Sequence, residues 1–239
     1  MRYLDRIFAT PEEELACDEV LLDICEEETD AEVLRVWQPG SRFVVLGYTN
    51  EATREVNLAA CAAERVPIYR RTTGGGTIVQ MPGCLNYAVV MRQDADPALA
   101  GIDGTNRFVR ERVASAVSTL TGGPVERRGQ TDLCIGERKI AGNAQRRRSQ
   151  ALLFHGTLLL HADIPGIERL LPFPSVQPDY RKNRSHSDFL GNLLIDPAAV
   201  TAVLKTAWGA HAPYTKAFEK RLATLAREKY GNREWTMRK

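Results

Sequence analysis

Residues 70–86 read Arg-Arg-Thr-Thr-Gly-Gly-Gly-Thr-Ile-Val-Gln-Met-Pro-Gly-Cys-Leu-Asn, and the reading of this stretch decides the fold. Gly74, Gly75 and Gly76 remove the Cβ from three successive residues. A ligand can then approach the backbone N–H groups, and positive φ becomes cheap. Arg70 and Arg71 stand just before the glycines, and the β-prone run Thr77, Ile78, Val79 follows. A cationic glycine turn feeding a strand suits an anionic ligand, whose phosphate or carboxylate oxygens accept backbone and guanidinium hydrogen bonds. A flexible surface turn is the plainer reading of the same residues. No Gly-Lys-Ser/Thr follows, so this is not a P-loop, and the glycines are not spaced as in a dinucleotide-binding turn.

A second informative stretch is Asp132-Leu-Cys-Ile-Gly-Glu-Arg-Lys-Ile-Ala-Gly-Asn-Ala-Gln145. Gly136-Glu137 reads as the tip of a hairpin. Beyond it, Lys139 opens an alternating strand with small residues at Ala141, Gly142 and Ala144. Small neighbours leave room for a ligand beside an ammonium, a compact charge with three donors. A solvated strand lysine fits the same pattern. The apolar strand Ala151–Phe154 then leads into His155-Gly156-Thr157-Leu158. His155 reads as a hydrogen-bonded structural histidine, and Gly156 as a point of close backbone packing.

Outward from these two stretches the organisation is that of one domain of both helices and strands. Thr10-Pro11-Glu12-Glu13 predicts a helix start that runs to about Cys25 and buries Leu15, Leu22 and Cys25. Strands are expected at 33–37 and 43–47 across a Pro39-Gly40 turn, and a short helix at 55–64. Leu85–Met91 reads as a central strand buried on both faces. The spacing of Phe108, Val109, Val113, Val117 and Leu120 predicts a helix from Asn106 to Leu120. Asp163–Asp188, with four prolines, reads as irregular surface chain, and Pro197–Trp208 and Thr215–Tyr230 as two closing helices.

With 239 residues the chain is long enough to bury a substantial core. A formal net charge of +2 gives no global field of the kind that draws nucleic acid. Arg146-Arg-Arg148 and Arg181-Lys-Asn-Arg184 read either as patches facing an acidic partner or as solvated loops. No apolar run approaches the ~20 residues that span a bilayer, and no basic, apolar leader opens the chain. Five scattered cysteines without a Cys-x-x-Cys pair fit a reducing compartment, so a cytoplasmic location is expected.

Four segments, in order, carry a resemblance: Arg70-Arg71-x-x-Gly-Gly-Gly76, Gly83-x-Leu-Asn86, Lys139-Ile-Ala-Gly-Asn-Ala-Gln145 and His155-Gly-Thr-Leu158. Together they resemble the lipoate–protein ligase A/octanoyltransferase family. Trp37-Gln-Pro39, Phe43-Val-Val-Leu-Gly47 and Asn50 are similar to that family's early acyl-pocket strand. The resemblance implies an α+β fold, a mixed β-sheet flanked by helices, of the biotin/lipoate protein ligase catalytic-domain type. Its motifs fall within residues 37–160, and residues 1–239 are expected to form one catalytic domain without a separate C-terminal accessory domain.

The implied reaction is activation of lipoate by ATP, with Mg2+, to lipoyl-adenylate. The lipoyl group then passes to a lysine of an apo-lipoyl carrier domain, either a 2-oxoacid dehydrogenase E2 or a glycine-cleavage H protein. The resemblance makes Lys139 the catalytic lysine and Arg71 a nucleotide-phosphate contact. It assigns Gly74, Gly75, Gly76, Thr77, Ile78, Val79, Asn86, Ala141 and Gly142 to the nucleotide and acyl-adenylate site. Trp37, Gly47, Asn50, His155 and Gly156 fall to the acyl pocket. Asp132 becomes a candidate magnesium ligand or orienter of the acceptor lysine.

Transferase branches of the family use a cysteine and no ATP. Neither of their nucleophile positions holds one here: Thr119 through Thr131 contains no cysteine, and Ala151-Leu-Leu-Phe154 precedes His155. Cys134 reads as a small core residue, and Cys84 stands where many ligases carry asparagine. A separate accessory subunit is one way to supply a missing accessory function. An octanoyl or lipoyl transferase acting without ATP, a non-catalytic acyl- or carrier-binding protein, and a biotin ligase remain the alternatives.

Overall fold

A computed structural model describes residues 1–238. After strand β1 (Arg2–Leu4), Thr10 caps helix α1 (Pro11–Glu27). Its hydroxyl accepts from the Glu13 N–H and the Glu13 carboxylate returns to the Thr10 N–H, the reciprocal box that the sequence predicts. Leu15, Leu22 and Cys25 are buried as expected. The strands β2 (Val33–Trp37) and β3 (Phe43–Leu46) also fall as expected, yet they enter different sheets and form no hairpin. The helix expected at 55–64 is two short ones, α2 (Ala52–Glu55) and α3 (Leu58–Ala63), because Asn57 caps a fresh start. Strands β4 (Ile68–Arg70) and β5 (Ile78–Gln80) flank the glycine loop, and β6 (Cys84–Arg92) is the buried central strand.

Helix α4 (Ile102–Ser118) begins a turn earlier than expected. The hairpin strands β7 (Glu126–Arg128), β8 (Asp132–Ile135), β9 (Arg138–Arg147) and β10 (Ala151–Leu159) follow. The stretch 163–188 departs from its reading as irregular surface chain, for it contains α5 (Ile164–Leu170) and α6 (His186–Phe189). Asp163 caps α5, accepting from Gly166, so Pro165 sits in a first helical turn where its missing N–H costs nothing. Leu170 and Phe189 are buried. Helix α7 (Pro197–Ala207) and a two-residue strand β11 (Ala212–Pro213) precede α8 (Glu219–Leu225). The expected helix at 215–230 therefore starts late, and it ends in a π-helical turn, Ala226–Tyr230, before α9 (Arg233–Met237).

The large sheet is mixed, with eight strands in the order β11-β1-β2-β6-β10-β9-β8-β7. Its two β1 pairings are parallel and the others antiparallel. A three-stranded sheet, β4-β3-β5, lies apart from it. One face of the large sheet packs Tyr87, Val89, Leu133 and Phe154 against Val109, Val113, Val200 and Leu204 of α4 and α7. The other face packs Ala88, Val90 and Leu153 against α1, α8 and the inward residues Phe43 and Val45 of the small sheet. Burial on both faces explains why β6 reads as one unbroken apolar run.

The arginines of the two clusters singled out in the sequence are engaged by the protein, whereas Lys182 and Asn183, between the arginines of the second, are exposed. Arg146 donates to the Thr72 carbonyl, Arg147 to the Leu99 carbonyl, Arg148 pairs with Asp23, and Arg181 is buried.

Three acids of α1 face inward. Glu14 and Asp18, one helical turn apart, hold the fully buried Arg35 of β2, with Asp18 at 2.9 Å and Glu14 also ion-paired. Removing one partner of such a group strands the remaining charge in a low-dielectric core. Arg35→Met should therefore lower stability by about 3–5 kcal/mol, although it preserves bulk. Chemical denaturation measures this, and an unchanged midpoint would show that the cluster carries no stability.

Candidate functional site

One face of the large sheet carries a transverse row. Trp37 pairs with Asn86, Asn86 with Thr157, Thr157 with Gly142, and Gly142 with Asp132. Paired residues share a face, so five consecutive strands present these side chains together over roughly 19 Å, four strand spacings. The adjacent row is Arg35, Ala88, His155 and Ala144. Over this face, between it and the small sheet, runs a cleft enclosing about 700 Å³, open solvent included. Of the residues named from the sequence, Trp37, Arg71, Gly76, Thr77, Ile78, Asn86, Lys139, Gly142, His155 and Gly156 line it.

Lys139 reaches this face through a bulge. Leu133 pairs with Ala141 but Cys134 with Lys139, so β9 carries one extra residue, Ile140. Strict alternation would put Lys139 on the side of Ala141, in the core. The bulge turns it onto the side of Asp132 and Gly142, the kind of re-aiming bulges give near functional sites. The Lys139 ammonium lies 2.7 Å from Asp132 Oδ1. It crosses directly over Gly142, where an added Cβ would stand 3.1 Å from Nζ. Ala141, in contrast, turns into the hydrophobic core, and so does Val79 in the small sheet.

Asp132 is fully engaged. Its second oxygen accepts from the Tyr180 hydroxyl at 2.7 Å. Burial, and then the neighbouring Asp132 carboxylate, push the Tyr180 phenol up, so it stays a donor. Both Asp132 oxygens thus face donors, and no group of three or more His, Cys, Asp or Glu is placed to hold a metal among the described residues. Asp132 would therefore take up a magnesium ion or an acceptor lysine only on release from Lys139. Tyr180 comes from the proline-rich stretch after α5, and nothing in its local sequence signals the contact.

The glycine loop is built around two buried arginines. Arg71 donates from its terminal nitrogen to the carbonyls of Gly74 and, at 2.9 Å, Gly76, and from Nε to Thr73 Oγ1 at 2.9 Å. Burial pulls its pKa down to about 10. The N–H groups of Gly74, Gly75 and Gly76 have no acceptor among the described residues, and the inward carbonyl of Gly74 turns the Gly75 N–H of the same peptide the other way. Gly75 has φ +85°, a conformation that favours glycine. Arg70 donates to six backbone carbonyls: Gly47, Tyr48 and Asn50 on one side, and Trp235, Thr236 and Arg238 on the other.

Gly47 and Asn50, expected in the acyl pocket, instead brace this loop. A Cβ on Gly47 would overlap the Gly75 carbonyl, while Asn50 Oδ1 accepts from Gly47 N–H at 2.8 Å and Thr77 Oγ1 at 3.1 Å. Gly156 lines the cleft, but its missing side chain serves the opposite face, where a Cβ would overlap Asn143 and Tyr87. Those two are hydrogen-bonded to each other.

His155 lies between two partners, with Nδ1 2.8 Å from Asp18 Oδ2 and Nε2 2.8 Å from Thr73 Oγ1. Gln80, which the sequence reading passed over, closes a buried ring with Asn86 and Thr157. Its alternation with Ile78 in a strand facing the sheet was the available signal. Asp18 also had one: it shares the inward stripe of α1 with Leu15 and Leu22, where an acid demands a partner.

Comparison with known proteins bears on this geometry. The model of the lipoyl protein ligase A/B catalytic domain matches residues 10–196. A relative from Aeropyrum pernix that carries a lipoate-protein ligase A name is 34% identical over 164 residues, 68% of this chain and 58% of that protein. The octanoyltransferase LipM of Symbiobacterium thermophilum is 31% identical over 237 residues, 85% of each chain. A structure of the bipartite lipoate protein ligase system of Thermoplasma acidophilum superposes with TM-score 0.78 at 25% identity, covering 99% of this chain and 95% of that one. A lipoate-protein ligase A bound with ATP superposes with TM-score 0.76 at 26% identity, covering 99% and 98%. On this evidence the chain belongs to the lipoyl protein ligase A/B catalytic-domain family, which spans lipoate ligases and octanoyltransferases, and it has the mixed-sheet α+β fold of the lipoate ligases.

Proposed function

We propose that this chain is a lipoate–protein ligase that uses ATP to form lipoyl-adenylate and transfers the lipoyl group to a carrier-domain lysine. One observation carries the reading. The cleft joins Lys139 and the glycine loop at Gly76 to an apolar wall of Leu15, Trp37, Val45 and Ile78, and no cysteine lines it. All five cysteines are free and buried. Burial raises the Cys84 thiol to about 11 and also pushes Cys134 up, which disfavours the thiolate a transferase needs. Similarity to the ATP-bound ligase supports the same side.

In the first step a lipoate carboxylate oxygen attacks the α-phosphorus of ATP and pyrophosphate leaves. Two anions must meet. The glycine N–H groups and the buried Arg71 charge offset their repulsion, and Lys139 leaves Asp132 to stabilise charge on the five-coordinate phosphorus. Magnesium bound with ATP would neutralise phosphate charge, and Asp132, once released by Lys139, is the carboxylate that would hold it. In the second step the carrier amine attacks the acyl carbon and AMP departs. Asp132, still held by Tyr180, then has a free oxygen to orient the incoming amine. The acceptors are lipoyl domains of 2-oxoacid dehydrogenase E2 or glycine-cleavage H protein. An accessory subunit assists, as the bipartite Thermoplasma ligase suggests. The unpaired thiols support a reducing cytoplasm as the location. The LipM relative keeps transfer without ATP as the second reading.

Purified protein with lipoate, Mg-ATP and apo-lipoyl domain should add one lipoyl mass to the carrier, and nothing when ATP is omitted. Carrier modification from octanoyl carrier protein without ATP would establish the transferase reading instead. Lys139→Ala should cut the rate about a hundredfold or more with the fold intact; near-normal turnover would remove Lys139 from the mechanism. Cys84→Ser and Cys134→Ser should keep a sizeable fraction of activity, and an acyl-thioester trapped on either would overturn the ligase assignment. Gly75→Val forces a β-branched residue into positive φ at the loop tip. Calorimetric titration with a non-hydrolysable lipoyl-adenylate analogue should show binding lost out of proportion to thermal stability.

A further inference from the structure

Behind the glycine loop runs a buried chain of four side chains from three segments: Asp18 of α1, His155 of β10, and Thr73 and Arg71 of the loop. We propose that Asp18 is a positioning residue that fixes His155 as the Nδ1–H tautomer and, through the Thr73 hydroxyl, sets the Arg71 guanidinium that shapes the loop. The claim of tautomer and loop order stands on geometry, and only its effect on adenylate binding rests on the ligase reading.

The two ends of the chain each have one hydrogen-bonding sense. A carboxylate only accepts and a guanidinium only donates. Asp18 Oδ2, 2.8 Å from His155 Nδ1, therefore requires the proton on Nδ1. Arg71 Nε, 2.9 Å from Thr73 Oγ1, makes that oxygen an acceptor. With Nδ1 carrying the proton of a neutral imidazole, Nε2 is the acceptor, and the single hydroxyl proton of Thr73 donates to it at 2.8 Å. Donation runs in one direction, Arg71 to Thr73 to His155 to Asp18, with each contact used once. Holding Nε in this way leaves the far edge of the guanidinium on the carbonyls of Gly74 and Gly76.

Arg35 makes the chain testable. It donates to the other oxygen of Asp18, Oδ1, at 2.9 Å, and is itself paired with Glu14. In Asp18→Asn the new amide must turn its oxygen to Arg35, because a guanidinium cannot accept. The amide NH2 then points at His155 Nδ1 and forces the proton onto Nε2. That N–H makes the Thr73 oxygen accept from both Arg71 and His155, and the Thr73 proton loses its acceptor. One near-isosteric change reverses the chain.

The first readout is the tautomer, from long-range 15N–1H correlation on histidine-labelled protein. With four histidines in the chain, His155→Gln assigns the signal. The wild type should show Nδ1–H with Nε2 unprotonated, and Asp18→Asn should show Nε2–H. The second readout is calorimetric affinity for the non-hydrolysable lipoyl-adenylate analogue. Asp18→Asn and Thr73→Val should each weaken binding about tenfold, the worth of one buried hydrogen bond. The double variant should be no weaker than the worse single, and Thr73→Ser should restore binding. A wild-type Nε2–H tautomer, a retained Nδ1–H form in Asp18→Asn, or fully multiplicative losses in the double variant would each overturn the proposal. If Asp18→Asn does not fold, the wild-type tautomer and the Thr73→Val/Thr73→Ser pair decide. Failure of the wild type to bind the analogue would count against the ligase reading, and the tautomer pair would still judge the chain.

Discussion

Two adjacent arginines, buried without a carboxylate partner among the described residues, hold the functional end of this molecule together. A guanidinium taken out of water needs acceptors, and here backbone carbonyls supply them. Arg71 draws in the carbonyls of its own glycine loop, and Arg70 gathers those of the 47–50 turn and of residues 235–238. Turning carbonyls inward turns N–H groups outward. In the trans peptides that follow Gly74 and Gly76, the N–H groups of Gly75 and Thr77 point away from the guanidinium that holds the carbonyls. The segment 235–238, distant in sequence, is thereby part of the support of the loop.

The rest of the cleft follows from sheet register. Antiparallel pairing through β2, β6, β10, β9 and β8 lines up Trp37, Asn86, Thr157, Gly142 and Asp132 on one face, and a one-residue bulge brings Lys139 to the same side. Small residues at Gly142, Ala88 and Ala144 keep the middle of that face low. The row is long enough for an extended acyl chain joined to a nucleotide. Asn86 and Thr157 are bonded to each other and to Gln80, and Asp132 to Lys139 and Tyr180.

Local signals were legible where the physics is local. The capping box of α1, the apolar run of β6 and the glycine triplet depend on neighbours within a few residues, and the structure has each where the sequence reading puts it. The stretch 163–188 was misread because prolines were counted as breakers, whereas Pro165 begins a helix capped by Asp163. Gly156 carries a signal of tight packing, but the direction of packing is not readable from it, and nothing local marks Gly47 or Asn50 as braces of the glycine loop. Gly47 yields to the Gly75 carbonyl, and Gly156 to side chains on the opposite face.

By itself, the sequence determined the element types, the buried strands, the glycine loop and the lysine strand, because periodicity, capping and backbone freedom are properties of short segments. It also carried the family's motifs in order. Tertiary structure alone decided which charges meet. Asp18 reaches His155, Tyr180 reaches Asp132, and Arg70 reaches the carbonyls of 235–238, pairs separated by tens to more than a hundred positions. A buried polar group must find a partner, but its own neighbourhood does not say which distant one the fold will deliver. That depends on strand order, register and a single bulge, which only the packed chain fixes.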